Sequence, residues 1–396
     1  MKKFFSKIAF KKEYLVYVVV LLSLVASIQA LTRSKKTFVE GGKEYTHYNN
    51  YVIFANSFHH LRDNKDLYIL YPDEQWDLYK YTPTFAAFFG AFAIFPDWLG
   101  YNLWNLFNAL LLVFAIYYLP GITDKKKNIL LALCLIELMT SLQNGQSNAL
   151  MAGLLILTFG LLEKEKFLWA CLCVVFTVYV KLFGIVGFAL FLFYPQKMKL
   201  ALYTLFWSAV LFVIPLIFVG FQQYEFLFRS YWNMLYHDHD ISYGYSVMGW
   251  LNSWLGTDVN KLAVVLAGAA LFMVPFYKIK SYQYFDFRIL ALASVLIWVV
   301  IFNHKAESPT FIIAMSGVAL WFVAGRMSTL NIVLLVLAFV FTSLSPTDIF
   351  PRFIRNEYVI PYSLKAVPCI FVWFKIVYDQ LAFKNGISTD KTPATV

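Results

Sequence analysis

Apolar residues run in blocks of about 15–20 positions along most of the chain, separated by short polar or basic turns. That length matches what an α-helix needs to cross roughly 30 Å of hydrocarbon. Backbone groups in lipid have no water to bond, so these blocks are predicted to be helices. The strands of a barrel would alternate apolar with polar positions, and these blocks do not. Crossings are expected at 14–31, 100–119, 128–143, 147–162, 167–180, 182–194, 200–219, 260–277, 287–302, 310–325, 329–345 and 361–379. One further block, Pro83–Phe95, is bounded by Pro83 and Pro96 and is too short to span, so an interfacial or re-entrant segment is expected there. The pattern predicts an all-α polytopic membrane protein of about 12 transmembrane helices. It forms a single integral membrane domain over 1–396, with a first outer loop over 32–99 that carries the interfacial and re-entrant segments.

Charge orients this arrangement. Only 14% of the 396 residues are charged and 60% are hydrophobic, against roughly 25% and 45–50% in a soluble domain. The formal net charge of +10 comes from Lys and Arg gathered in short loops, the signature of cytoplasmic retention and not of nucleic-acid binding. Five lysines precede the first block, Tyr14–Leu31, which reads as an uncleaved anchor with its N-terminus in the cytoplasm. If Pro83–Phe95 does not cross, Lys125–Lys127, Lys164/Lys166, Lys197/Lys199, Lys278/Lys280/Arg288, Arg326 and the C-terminal lysines all fall inside; if it crosses, they all face out. The positive-inside rule selects the first alternative, although Arg33, Lys35 and Lys36 then lie outside. All six histidines and the long loops 32–80, 220–259 and 346–360 also come out on the outer face, so function is expected there.

Four segments on that face carry candidate chemistry. In HYNNYVIFANSFHHL, Tyr51, Phe54, Phe58 and Leu61 recur at helical spacing, predicting a surface helix with Asn49, Asn56 and His60 turned to water. Five carboxylates follow within fifteen residues, Asp63, Asp66, Asp73, Glu74 and Asp77, beside Trp76, Tyr79 and Tyr81. The turn QNGQSN sets Gln143, Asn144, Gln146 and Asn148 near membrane depth, where amides need a neighbouring helix or a hydroxyl-rich ligand. Lys181 interrupts an apolar run on the same side, and either snorkelling or phosphate binding accounts for it. FNHKAESPTF places His304, Lys305 and Glu307 at the mouth of a span, a titratable ring, a cation and a carboxylate suited to an anionic leaving group and proton transfer. Each of these segments can also be read as ordinary solvated structure. Glu137, inside a span, reads as a packing residue bonded to Thr140 or Ser141. No metal is expected: His237 and His239 are two apart, and no Glu-x-x-His or His-x-x-x-His accompanies them. The four cysteines lie in apolar blocks and are read as free thiols.

Tyr79, Tyr81 and Pro83, then Gly145, Gln146 and Asn148, then Lys181, then Ser308 and Pro309 occur in an order that resembles a known family. They look like the polyprenyl-phosphate-sugar-dependent glycosyltransferases of the C-type membrane fold, especially the bacterial α-mannosyltransferases. The resemblance implies transfer of a mannose-like sugar from a polyprenyl-phosphate donor to a glycan or glycolipid acceptor. The reaction would run at the outer or periplasmic face of the bacterial cytoplasmic membrane, with membrane lipid around the protein, no cofactor and no metal. Where the family carries its catalytic Asp, this chain has Asn50, which cannot take the acceptor's proton. Asp77 is then the first candidate for the base and Glu307 the second. Asn50, Tyr81, Gln146, Asn148, Lys181, His304 and Lys305 are the candidates for substrate binding. A transporter or flippase of lipid-linked sugars, or a non-catalytic partner in envelope assembly, remains open as an alternative.

Overall fold

The computed structural model describes residues 11–38, 42–237, 242–256 and 258–384. Apart from a two-residue antiparallel ladder, β1 (Lys36–Thr37) with β2 (Glu44–Tyr45), the described elements are helical. They group into two compact units, one of Met1–Phe188, Gln196–Ser242 and Glu307–Ile313, the other of Ala189–Pro195, Tyr243–Ala306 and Ala314–Val396.

The first unit contains α1 (Lys12–Thr32), α2 (Asn49–Arg62), α3 (Pro83–Ala93), α4 (Asp97–Tyr118), α5 (Asp124–Gln143), α6 (Asn148–Glu163), α7 (Phe167–Val180), α8 (Lys197–Val213) and α9 (Phe221–His237). Its centre is α6, whose residues from Asn148 to Leu162 are all buried. A helix apolar on every side is stable only when neighbours cover every side, and α4 and α7 pack against it. Gly153 allows the approach of α4: a Cβ there would stand 3.2 Å from the Leu112 backbone. Small residues at crossings let helix backbones come close where lipid removes the hydrophobic drive to associate.

Three described helices are long and apolar enough to cross a membrane: Lys12–Thr32, Asp97–Tyr118 and Lys197–Ile217. In the last, Leu202, Leu205, Phe206, Phe212 and Ile217 are exposed while Leu200 and Leu211 are buried. An outward face of that composition needs lipid against it. The other expected crossings fall on helical segments that are shorter or carry more charge. Several of them include 3₁₀ or π-helical stretches. Leu182–Phe193 is a 3₁₀ helix, set off from α7 by Lys181 in extended conformation (φ −143°, ψ 126°). At about 2 Å rise per residue its twelve residues reach further than α-helix would. The helix at the last expected crossing begins later than expected, at Val367, after a run of turns.

The short block is α3, eleven residues or about 16 Å long, half of a hydrocarbon core. Thr82 caps it through its hydroxyl, which accepts from the Phe85 N–H, and Pro83 fills the first turn. Aromatic rings bind α2, α3 and α4 together: Phe54 meets Phe85 at 5.3 Å and Phe89 at 5.2 Å between centroids, and Phe89 meets Trp104 at 4.9 Å. The surface helix is present as α2, and Tyr51, Phe54, Phe58 and Leu61 are its buried face. Asn49 and His60, expected in water, are buried instead at 6% and 4% exposure. The loop after α2 folds back over them. Asn49 Oδ1 accepts from the Trp76 N–H at 3.0 Å, and His60 Nε2 lies 2.8 Å from Glu74 Oε2. Asn56 stays half-buried, donating to Gln75 Oε1.

The second unit is built of α10 (Val247–Leu255), α11 (Lys261–Met273), α12 (Phe285–Ile301), most of α13 (Phe311–Ala324), α14 (Thr329–Leu337) with its π-helical continuation Ala338–Leu344, and α15 (Val367–Leu381). Within it α15 packs on α12 and α14. Trp373, fully buried on α15, donates to Ser294 Oγ of α12 at 2.9 Å.

Candidate functional site

The turn between α5 and α6 is held from several directions. Gly145 sits at φ +62°, in the left-handed region, and a Cβ there would lie 3.1 Å from Tyr101. Its carbonyl accepts from Trp104 Nε1 at 2.9 Å, the Tyr101 hydroxyl donates to the Leu142 carbonyl at 2.9 Å, and Asn108 Oδ1 accepts from the Leu150 N–H at 3.0 Å. Asn50, where the resemblance implied an acid, donates through Nδ2 to the Asn144 carbonyl at 2.9 Å. Gln143 reaches Gln29 of α1. These bonds fix the backbone of the turn while Gln146, Ser147 and Asn148 stay buried at its far side.

Lys181 meets them there. Its Nζ donates to Asn148 Oδ1 at 2.7 Å and lies 5.7 Å from the centroid of the Tyr81 ring and 5.8 Å from that of Phe183. Snorkelling therefore does not describe this lysine, because its ammonium turns inward to an amide and two rings. The extended backbone at Lys181, between α7 and the 3₁₀ segment, is what aims it. Burial lowers its pKa to about 8, and the charge of Glu307 opposes that shift. Tyr81 is itself positioned by neighbours: its carbonyl accepts from the Tyr68 hydroxyl at 2.9 Å, and its ring stacks on Phe85 at 5.0 Å. Burial raises the pKa of its phenol, with Ser147 acting the other way and the charges of Glu307 and then Asp77 adding to the rise. The phenol thus stays protonated, a hydrogen-bond donor and not a base.

Glu307 is exposed and precedes the 3₁₀ turn Ser308–Thr310, which packs against α5. Tyr81, Asn148, Lys181 and Glu307 thus belong to one neighbourhood of the first unit. Among the described residues, the buried polar atoms Gln146 Oε1, Ser147 Oγ, Asn148 Nδ2 and Ser308 Oγ find no hydrogen-bond partner. Buried polar atoms are rarely left unpaired, and a ligand rich in oxygen would satisfy them. Asp77 is exposed; its carboxylate takes the Leu78 N–H at 2.7 Å and faces Lys80 at 3.6 Å.

The family model of glycosyltransferase family 87 matches residues 79–302, more than half of the 396-residue chain. The chain belongs to glycosyltransferase family 87. It is therefore a membrane glycosyltransferase of the C-type class. A search among curated proteins returns no match. The matched stretch contains Tyr81, Gln146, Asn148 and Lys181 of the family 87 chain, whereas Asn50 and Glu307 lie outside it.

His304 and Lys305 belong to the second unit. Their turn is closed by the Tyr245 N–H donating to the Ala306 carbonyl at 2.9 Å and by the Lys305 N–H donating to Asn303 Oδ1 at 3.0 Å. The segment around His239 lies outside the described residues. Glu137 is fully buried on α5, but Thr140 turns its hydroxyl to the Ile136 carbonyl instead. Sequence reading missed Asn105, Asn108 and Ser147. Asn105 and Asn108 are spaced i, i+3 on α4, and both point at the turn, Asn105 donating to the Leu142 carbonyl at 3.1 Å. Two amides in an apolar helix at that spacing were the available signal.

Proposed function

We propose that the protein transfers a mannose-like sugar from a polyprenyl-phosphate donor to a hydroxyl of a glycan or glycolipid acceptor, at the outer face of the bacterial cytoplasmic membrane. The observation that carries this reading is the Lys181 ammonium held between Asn148 and the Tyr81 ring, with a carboxylate in range, in a membrane glycosyltransferase. In the reaction the anomeric carbon–oxygen bond to phosphate breaks and its electron pair leaves on the phosphate. The acceptor oxygen forms the new bond and surrenders its proton to a base. Lys181 retains N–H donors beyond the one given to Asn148, and a cation in a low-dielectric setting stabilises the charge that grows on the leaving phosphate. Tyr81 adds a phenolic donor. Glu307 is the preferred base over Asp77: its charge acts on both Lys181 and Tyr81, whereas Asp77 is committed to Leu78 and Lys80. His304 and Lys305 are further candidates for donor binding, and Asn50 braces the turn that carries Gln146 and Asn148.

A photo-crosslinkable polyprenyl-phosphate sugar tests the donor class. Labelling of the purified protein that unlabelled polyprenyl phosphate suppresses, and nucleotide sugars do not, is the expected result. Suppression by nucleotide sugars alone would reject the lipid donor.

A further inference from the structure

The second unit holds a cavity of about 510 Å³, inside the range of small-ligand sites, where the start of α12, the end of α13, the start of α14 and the end of α15 meet. All four ends carry the charge pattern assigned above to the cytoplasmic side. Among the described residues, six charged or amide side chains line it: Asp286, Arg326, Asn331, Lys375, Asp379 and Lys384.

Their pairing is uneven. Asp379 is engaged, bonded to Lys375 and accepting from Trp321 Nε1 at 3.3 Å. The side chains of Arg326 and Lys384 have no hydrogen bond or ion pair to the described residues. Asn331 is 6% exposed, and its Nδ2 donates to the Arg326 carbonyl at 2.9 Å, which fixes the amide's orientation. Asn331 Oδ1 is then a buried acceptor without a partner among the described residues. Ser328 caps α14 through the Asn331 N–H, so the positive end of a nine-residue helix also opens here. Among the described residues, three cations against two carboxylates leave the lining one positive charge in excess.

We infer that this cavity binds an anionic phosphate ester that also carries a hydroxyl, the chemistry of a glycerol headgroup on a phospholipid. The phosphate accepts from Arg326 and Lys384, and the hydroxyl donates to Asn331 Oδ1. A monoanionic diester balances the single excess charge, whereas zwitterionic choline and ethanolamine headgroups leave it uncompensated. Basic pockets at the cytoplasmic ends of transmembrane helices suit such headgroups.

The test uses the full-length protein in neutral detergent, with short-chain phosphatidylglycerol, phosphatidylcholine, phosphatidylethanolamine and free glycerol 3-phosphate as probes, and bound ligand read by native mass spectrometry. Phosphatidylglycerol should bind at least about tenfold tighter than either zwitterionic lipid, and Arg326→Ala and Lys384→Ala should each weaken it several-fold without lowering Tm. Arg326-dependent binding of the lipid alone supports a membrane source; Arg326-dependent binding of glycerol 3-phosphate as well supports the same site filled from solution. Equal binding of all three lipids, or phosphatidylglycerol binding untouched in the Arg326→Ala, Lys384→Ala double variant, overturns the assignment.

Discussion

At the scale of single residues, the proposed chemistry centres on Lys181. If it stabilises the leaving phosphate, Lys181→Ala should lower kcat/KM by roughly 10²–10³-fold, the cost of removing one preorganised donor to a developing anion. Lys199→Ala, a cation at the opposite end of the helical run, should leave kcat/KM within about twofold of the parent. Because burial brings the Lys181 pKa to about 8, the ammonium is present below that pH and lost above it. The free enzyme's kcat/KM should therefore fall as pH rises through about 8, and Lys181→Arg should move that limb upward. A flat profile from pH 7 to 9 would detach Lys181 from the reaction. The base is separable by a second pair: Glu307→Gln should cut turnover by roughly 10²–10⁴-fold, and Asp77→Asn by much less. The reverse order would return the base to Asp77. The sequence singled out Tyr81, Asn148, Lys181 and Glu307 as candidates, because a cation, an amide or a carboxylate at a membrane edge stands out against apolar surroundings. It ranked Asp77 ahead of Glu307; the proposed reversal rests on the loop contacts of Asp77, which are a matter of tertiary folding.

At the scale of elements, the turn between α5 and α6 and the loop folded over α2 set the geometry. Gly145 occupies a conformation that costs an L-residue roughly 1–2 kcal/mol, and the Tyr101 ring leaves little room for a methyl group. Gly145→Ala should therefore lower Tm by several degrees and raise the donor KM, because Gln146 and Asn148 move with the turn. An unchanged Tm would mean that the turn adapts freely. His60 offers a pH handle on the loop. Burial lowers its pKa, with Glu74 opposing, so its charged form is disfavoured in the fold. Stability should be full above the ordinary histidine pKa of about 6.5 and decline as pH drops below it, a loss that His60→Asn should reduce. The existence of α2 was legible from the spacing of Tyr51, Phe54, Phe58 and Leu61. The burial of Asn49 and His60 was not, because it comes from a loop that closes over the polar side of the helix.

At the scale of the whole molecule, the apolar blocks translated into helices, and the thirteen-residue block into α3, too short to cross. The 3₁₀ stretch after Lys181 was invisible in composition, since LFGIVGFALFLF satisfies α-helical and 3₁₀ periods alike. Sidedness rests on charge and is open to measurement. The four native cysteines are buried, so an engineered cysteine reports its own side with little background. Cysteines at Asp77 and Glu307 should react with an impermeant maleimide added outside, and one at Lys126 should not.

The most direct test of the account is transfer itself, with purified protein reconstituted in liposomes, radiolabelled polyprenyl-phosphate mannose as donor and membrane glycolipids as acceptor. The account predicts label moving from the lipid phosphate to the acceptor, with free polyprenyl phosphate released in equal amount and both lost together in Lys181→Ala. Transfer only from nucleotide sugars, or transfer from the lipid donor that is indifferent to Lys181, would contradict it.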